Sequence, residues 1–199
     1  MSLRKAVLVL VAVVATATVA SSAHAQLAVY GTVTVNQMSG IKNSPLATFG
    51  PAGDINPIGG GGGVYYDFLR LGRVKLGADL RSTLTSTKRG AYISSDGSGA
   101  RLYSTLGGIR AVFHTPFVPL RPYLQVSAGL GRTDYGLLPL TNKNNFQYMG
   151  YAGIDITLLP VMDFRLVEFG YGGLNPMGTN SHNYPIKSVS SGLVFHLPF

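Results

Sequence analysis

The chain has 199 residues, enough for one domain, and it contains no cysteine, which excludes a disulfide framework and a thiolate zinc site. Sixteen Lys and Arg residues against eight Asp and Glu residues give a net charge of +8, but the cations are scattered along the chain. They form no basic run of the kind that binds nucleic acid, so we expect no nucleic-acid partner, and no motif indicates a cofactor.

The first 25 residues have the layout of a cleavable secretory signal. A basic start at Arg4 and Lys5 precedes the apolar run from Ala6 to Val14, and the small residues of Ala23-His24-Ala25 follow. A retained membrane helix is the alternative, but the apolar run is shorter than the roughly 20 residues that span a bilayer. Cleavage before Gln26 would leave a domain of residues 26–199, and losing Arg4 and Lys5 would lower the net charge from +8 to +6.

From Leu27 onward the apolar residues recur with a period of two, which indicates strands rather than helices. The first predicted strand starts at Leu27 and continues through Asn36. Seven more follow: Ile58–Phe68, Arg73–Thr85, Arg101–Phe113, Tyr123–Thr133, Gln147–Thr157, Phe164–Leu174 and Lys187–Phe199. The connections between them alternate between long polar segments and short turns, which is typical of an up-and-down barrel that crosses a membrane.

A glycine run, Gly59 to Gly63, could suggest a phosphate-binding loop. Such a loop would need a Lys-Ser/Thr ending at the start of a helix, and neither follows here. We therefore interpret the run as part of a strand whose glycines relieve crowding or allow a bend.

The clearest alternation lies in the third predicted strand, where Val74, Leu76 and Leu80 oppose Lys75 and Asp79. The charged face could be a solvated outer surface, but the one-sided patterns of the neighbouring strands favour a polar lumen. On this basis we predict a lumen charge network of Arg73, Lys75, Asp79, Arg81, Arg110, Asp155 and Glu168. The phase of the seventh strand turns Arg165 outward, where it could extend toward lipid headgroups.

The last stretch places Leu193, Phe195, Leu197 and Phe199 on one face. This ending resembles the terminal assembly signal of bacterial outer-membrane barrels. With the strand count and the loop alternation, the chain resembles the small eight-stranded OmpA/OmpX-like outer-membrane proteins, although it has no Trp, and Pro198 precedes the final Phe. The fold class that follows is all-β: an eight-stranded antiparallel up-and-down transmembrane β-barrel. A soluble lipocalin-type barrel is the alternative, and it would have an apolar lumen and a polar exterior.

The resemblance also implies a location and partners. We expect a Gram-negative outer-membrane protein, a monomer with both termini in the periplasm, assembled by periplasmic chaperones and the barrel-assembly machinery. It would contact outer-membrane lipid, including lipopolysaccharide. Cations near the long connections are candidate contacts for the phosphates of that glycolipid: Lys88, Arg89, Arg101, Arg132, Lys143 and Lys187.

We predict neither a catalytic site nor a metal site. Three histidines follow the signal, His114, His182 and His196, and the predicted topology keeps them far apart. Some small barrels are lipid A deacylases with a His-x-Ser pair, which is absent here, as is a G-x-S-x-G elbow. The predicted register places His196 about 13 Å from Glu168, too far for a catalytic pair.

These features favour a passive role, either as an envelope scaffold or as a module for attachment through surface loops. In a barrel with this passive role, charged side chains fill the lumen, since an eight-stranded barrel is just wide enough for its own side chains. The alternative is a narrow porin-like pore for small anionic solutes, which the excess of inward cations would favour.

Overall fold

The computed structural model describes residues 26–38, 56–86, 101–115, 118–134, 144–175 and 183–197. They form eight strands: β1 (Gln26–Met38), β2 (Ile58–Leu71), β3 (Val74–Ser86), β4 (Arg101–Phe113), β5 (Leu120–Asp134), β6 (Asn144–Leu159), β7 (Met162–Asn175) and β8 (Tyr184–Leu197). Each strand pairs antiparallel with the next, and β8 pairs with β1 to close the barrel. The predicted fold class is thus confirmed, while the predicted signal lies outside the described residues.

The barrel has two distinct ends. At the short-turn end, β2–β3, β4–β5 and β6–β7 are joined through residues 72–73, 114–119 and 160–161. Gly72 in the first of these turns has a φ of 60°, a conformation that favours glycine. At the long-connection end the strands are joined through residues 39–57, 87–100, 135–143 and 176–183.

The alternation along the strands places apolar side chains on the outside, while the inside holds most of the charged and amide side chains together with one apolar cluster. In β1, Val33 is 64% exposed on the outer face, whereas Thr34 and Asn36 are buried in the lumen. In β5, Leu124 and Val126 are exposed and Gln125 is buried. The described part of the chain contains no helix long and apolar enough to cross a membrane.

Register shifts mark a β-bulge in β2, β6 and β7, and the bulge in β7 changes which charges enter the lumen. In β7, Val167 pairs with Ile154 but Arg165 already pairs with Asp155, so one extra residue lies between them. The pairing with β8 skips at the same place. As a result Arg165 and Glu168, three positions apart, both point inward and are buried. The prediction that Arg165 faces outward is therefore wrong, because it assumed an unbroken period of two.

Another bulge lies in β2, where Asp67 pairs with Gly77 and Leu69 pairs with Leu76. The extra residue, Phe68, faces outward together with Leu69. Asp67 keeps its inward position and is buried near the short-turn end.

The lumen is layered from end to end. Near the long-connection end it holds an apolar cluster of Met38, Leu102, Leu106, Met149, Tyr151, Leu174 and Ile186. Hydroxyl and amide side chains lie next to it, as in the bonds from Ser104 Oγ to Gln147 Oε1 (2.7 Å) and from Asn36 Nδ2 to Thr85 Oγ1 (3.0 Å). The charged side chains occupy the middle and the short-turn end.

Candidate functional site

The centre of the lumen is built around the side chain of Arg81, which β3 directs inward. Its Nη1 and Nη2 atoms donate to the two carboxylate oxygens of Glu168 at 2.9 and 3.0 Å. Its Nε donates to Asp79 Oδ1 at 3.3 Å. The paired bonds to Glu168 match the planar fork of the guanidinium group and fix its orientation.

A second half of the cluster extends from Glu168 through Arg165. Arg165 donates to Glu168 Oε2 at 3.3 Å and to Asp155 Oδ1 at 3.0 Å. The other oxygen of Asp155 accepts a 2.6 Å bond from Arg110. The ion pairs thus alternate in sign across the barrel, and three guanidinium groups balance three carboxylates in what we call the central ion cluster: Asp79, Arg81, Glu168, Arg165, Asp155 and Arg110.

Four buried tyrosines enclose the central ion cluster. The guanidinium carbon of Arg81 lies 3.8 Å from the Tyr151 ring centroid, and that of Arg110 lies 4.0 Å from the Tyr123 centroid and 4.2 Å from the Tyr65 centroid. Arg165 lies 4.6 Å from the Tyr30 centroid. Such cation–π contacts strengthen when the cation is desolvated.

Two of these rings also donate hydrogen bonds to the carboxylates. Tyr123 donates to Glu168 at 2.6 Å, and Tyr30 donates to Asp79 at 2.8 Å. The side-chain amide of Gln125 donates to Asp79 Oδ1 at 2.6 Å and accepts from Arg81 at 3.2 Å. These tyrosines and Gln125 are absent from the predicted network, although the inward phase of their strands could have indicated Tyr30, Gln125 and Tyr151.

Small cavities flank the central ion cluster on both sides. The one toward the long-connection end measures about 20 Å³ and is lined mainly by hydroxyl and amide side chains, among them Thr34, Ser104 and Gln147. The other, also about 20 Å³, lies toward the short-turn end and is lined by Asp67, Lys75 and His196, among others. Each has room for about one or two water molecules.

At the short-turn end, Asp163 connects β5, β7 and β8. Its Oδ2 accepts a 2.9 Å bond from Arg121 and lies 2.7 Å from His196 Nε2. The register sets Glu168 opposite Ser190, and the carboxylate that His196 meets is Asp163. Nearby, partial burial and then the positive charge of Arg121 lower the pKa of His114, which follows β4. No group of His, Cys, Asp and Glu among the described residues could hold a metal ion.

The other predicted site residues lie elsewhere. Arg73 lies exposed in the β2–β3 turn, so its place in the lumen network is corrected: β3 begins at Val74 because the turn extends through residue 73. Lys75 lines the short-turn cavity together with Asp67, Arg110 and Asp155. Leu193, Phe195 and Leu197 are exposed on the outer face of β8. Phe199 lies outside the described residues.

Of the predicted glycolipid contacts, three are in described strands. Arg101 starts β4, Arg132 is exposed near the end of β5, and Lys187 is exposed near the start of β8, all toward the long-connection end. Lys88, Arg89 and Lys143 lie outside the described residues.

A closed eight-stranded antiparallel barrel with an apolar exterior and a polar interior is the architecture of the small outer-membrane β-barrels. Among solved structures, the chain is similar to Neisserial surface protein A, with 17% identity over 87% of this chain and 99% of that one and a TM-score of 0.58. It is also similar to the attachment invasion locus protein Ail of Yersinia pestis, with 13% identity over 87% and 97% of the two chains and a TM-score of 0.53.

No protein-family model matches the sequence, and a search of curated proteins finds no match. At these identities the likeness to Neisserial surface protein A and Ail shows the fold alone. It confirms the resemblance to the small eight-stranded outer-membrane barrels.

Proposed function

We propose that this protein is an integral outer-membrane barrel with a passive role, as an envelope scaffold or as a module for attachment through its long connections. The observation that carries the proposal is the inverted arrangement of side chains: the outside of the barrel is apolar, while the central ion cluster and its tyrosines fill the inside. A hydrocarbon environment favours such an exterior and an aqueous one does not. A soluble lipocalin-type barrel would have the opposite arrangement.

The filled lumen supports a closed barrel over a pore. Every charge of the central ion cluster has a partner of opposite sign, and each flanking cavity has room for only about one or two waters. The apolar cluster near the long-connection end adds a layer of side chains that disfavours the entry of water. The porin-like alternative rested on an excess of inward cations, whereas the central ion cluster is balanced.

Attachment is the more specific form of this proposal. Ail, which shares the fold, has been crystallised with the heparin analogue sucrose octasulfate, at 11% identity to this chain and a TM-score of 0.52. Exposed Arg132 and Lys187 at the long-connection end would likewise favour an anionic partner there. The proposal includes both termini in the periplasm, assembly by the barrel-assembly machinery with periplasmic chaperones, contact with lipopolysaccharide, and no enzymatic activity.

Two measurements test the proposed function. Membrane fractionation should place the protein in the outer membrane, and single-channel recording of the refolded protein should show no steady conductance. A protein found in the soluble fraction would contradict the membrane placement. A stable conductance with anion preference would instead support the pore.

A further inference from the structure

The outer face of the barrel carries a groove along β6. Gly150 and Ala152 form its floor, because these small residues of β6 lie below the larger side chains of the neighbouring strands β5 and β7. On β5, Val126 lies beside Gly150 and Leu124 beside Ala152. On β7, Tyr171 and Phe169 occupy the corresponding positions. These four larger side chains form the walls and are each more than half exposed, from 56% for Leu124 to 67% for Val126.

The groove has the width and length of one hydrocarbon chain. Its walls stand on strands separated by two strand spacings, about 10 Å, and its floor from Gly150 to Ile154 is about 13 Å long. The space along it has a volume of about 600 Å³ at Gly150 and continues into a second of about 380 Å³, bordered by Phe113, Pro122 and Ile154. Among the described residues, those that line the groove have uncharged side chains.

A cation lies at the head of the groove. Lys187 on β8 is the cross-strand neighbour of Tyr171, and its side chain is exposed. Lys187 is the fourth residue of β8, near the long-connection end, and the groove runs from there toward the short-turn end. No carboxylate among the described residues pairs with it. Tyr148 lies on β6 two residues before Gly150, toward the long-connection end. Its hydroxyl accepts a 2.8 Å hydrogen bond from Asn183.

We propose that this groove binds one acyl chain of a phosphorylated glycolipid, with a phosphate of that lipid against Lys187. The apolar groove matches the hydrocarbon chain, and the exposed lysine beside Tyr171 matches the anionic headgroup. The inference rests on the proposed membrane placement, in which the long-connection end faces the outer leaflet. It goes beyond that placement by assigning the lipid to one face of the barrel and one cation.

The chain offers matched variants for a test. Gly150→Leu would fill the floor, and a Cβ built at Gly150 lies 3.7 Å from Tyr171 O, an ordinary contact distance, so a side chain can be added there without a Cβ clash. Gly60→Leu is its control: Gly60 is exposed on β2, across the barrel, and a Cβ there lies 3.6 Å from Thr32 O. Lys187→Gln removes the cation, and Arg73→Gln removes an exposed cation at the other end.

The experiment is native mass spectrometry of membrane-extracted protein in neutral detergent, titrated with phosphorylated glycolipid, its dephosphorylated form, or phosphatidylglycerol. We expect one glycolipid on the wild type. Lys187→Gln should weaken binding of the phosphorylated form about fivefold and leave binding of the dephosphorylated form unchanged. Gly150→Leu should weaken both forms by a similar factor, and both controls should bind as the wild type does.

The inference would be overturned by equal binding to the wild type and to both groove variants, or by equal sensitivity of the controls. Phosphatidylglycerol binding as tightly as the glycolipid, with the same dependence on Lys187, would assign the groove to phospholipid and so refute the glycolipid. Fractionation of the same variants separates these outcomes from a failure of the proposed function, since a barrel that reaches the outer membrane without binding glycolipid contradicts only the groove.

Discussion

Replacing Glu168 with Gln should destabilise the barrel more than any single change at its rim. The Glu168 carboxylate accepts two bonds from Arg81 at 2.9 and 3.0 Å, one from Arg165 at 3.3 Å and one from Tyr123 at 2.6 Å. Gln has nearly the same shape but carries no charge. The substitution would leave the central ion cluster with three guanidinium groups against two carboxylates.

The size of the effect follows from burial. Glu168 is 1% exposed, so solvent cannot screen the excess positive charge. Removing one partner of such a buried pair typically costs about 3 to 5 kcal/mol. We expect the free energy of unfolding to fall by about that amount, measured by reversible urea unfolding in lipid vesicles.

Two further variants separate charge balance from packing. Lys187→Gln changes an exposed cation and should cost less than about 1 kcal/mol. Replacing Arg81 and Glu168 together by Met removes one charge of each sign, so this double variant should lose less stability than Glu168→Gln alone. A loss below about 1 kcal/mol for Glu168→Gln, or a larger loss for the double variant, would refute the reasoning.

Four other predictions concern the lumen, the bulge and the two ends of the chain. Arg81→Ala should lower thermal stability without opening a large conductance, and a large current in planar bilayers would argue against the layered seal. Deleting Leu166, the extra residue of the β7 bulge, should leave Arg165 inward, because Arg165 would then adjoin Val167 in regular alternation; the variant should keep the heat-modifiable mobility of the wild type on gels, and loss of the folded band would count against this reasoning. Intact mass should show cleavage between Ala25 and Gln26, and a species that keeps residues 1–25 would contradict it. Deleting Phe199 should leave unfolded chain in the periplasm while refolding in detergent succeeds, and unchanged insertion in cells would oppose its assembly role.

The barrel itself could be predicted because each strand repeats a simple physical pattern. A period of two with one apolar face appears in β1, β3 and β5, and the structure keeps the predicted facing at Val33, Asp79 and Gln125. The ends of the strands are harder to predict from the sequence, since polar and aromatic residues occur on both sides of each boundary. β5, β6 and β7 accordingly extend beyond their predicted bounds at both ends.

The contacts inside the lumen depend on features that a period of two cannot contain. An unbroken period of two places Leu166 on the inward face with Glu168, whereas the bulge makes Leu166 an extra outward residue and brings Arg165 into the lumen. Tyr123 is the first residue of the predicted fifth strand, whereas the extension of β5 to Leu120 places it inside the barrel, 1% exposed and beside Arg110. Asp163 and His196 meet only once the β7–β8 register is known.

The lumen contains Arg165 rather than Arg73, and this difference from the prediction changes the functional interpretation. With Arg73 inside and Arg165 outside, the predicted network includes Lys75 and has four cations against three carboxylates. The structure places Arg73 in the turn, Lys75 at the short-turn cavity and Arg165 between Asp155 and Glu168. The three arginines of the central ion cluster balance its three carboxylates, and Lys75 shares its cavity with the buried carboxylate of Asp67. An anion entering the cluster would have to displace a carboxylate from its guanidinium partners. The electrostatic reason for an anion path is thereby removed, while the reason for a stable, filled barrel is strengthened.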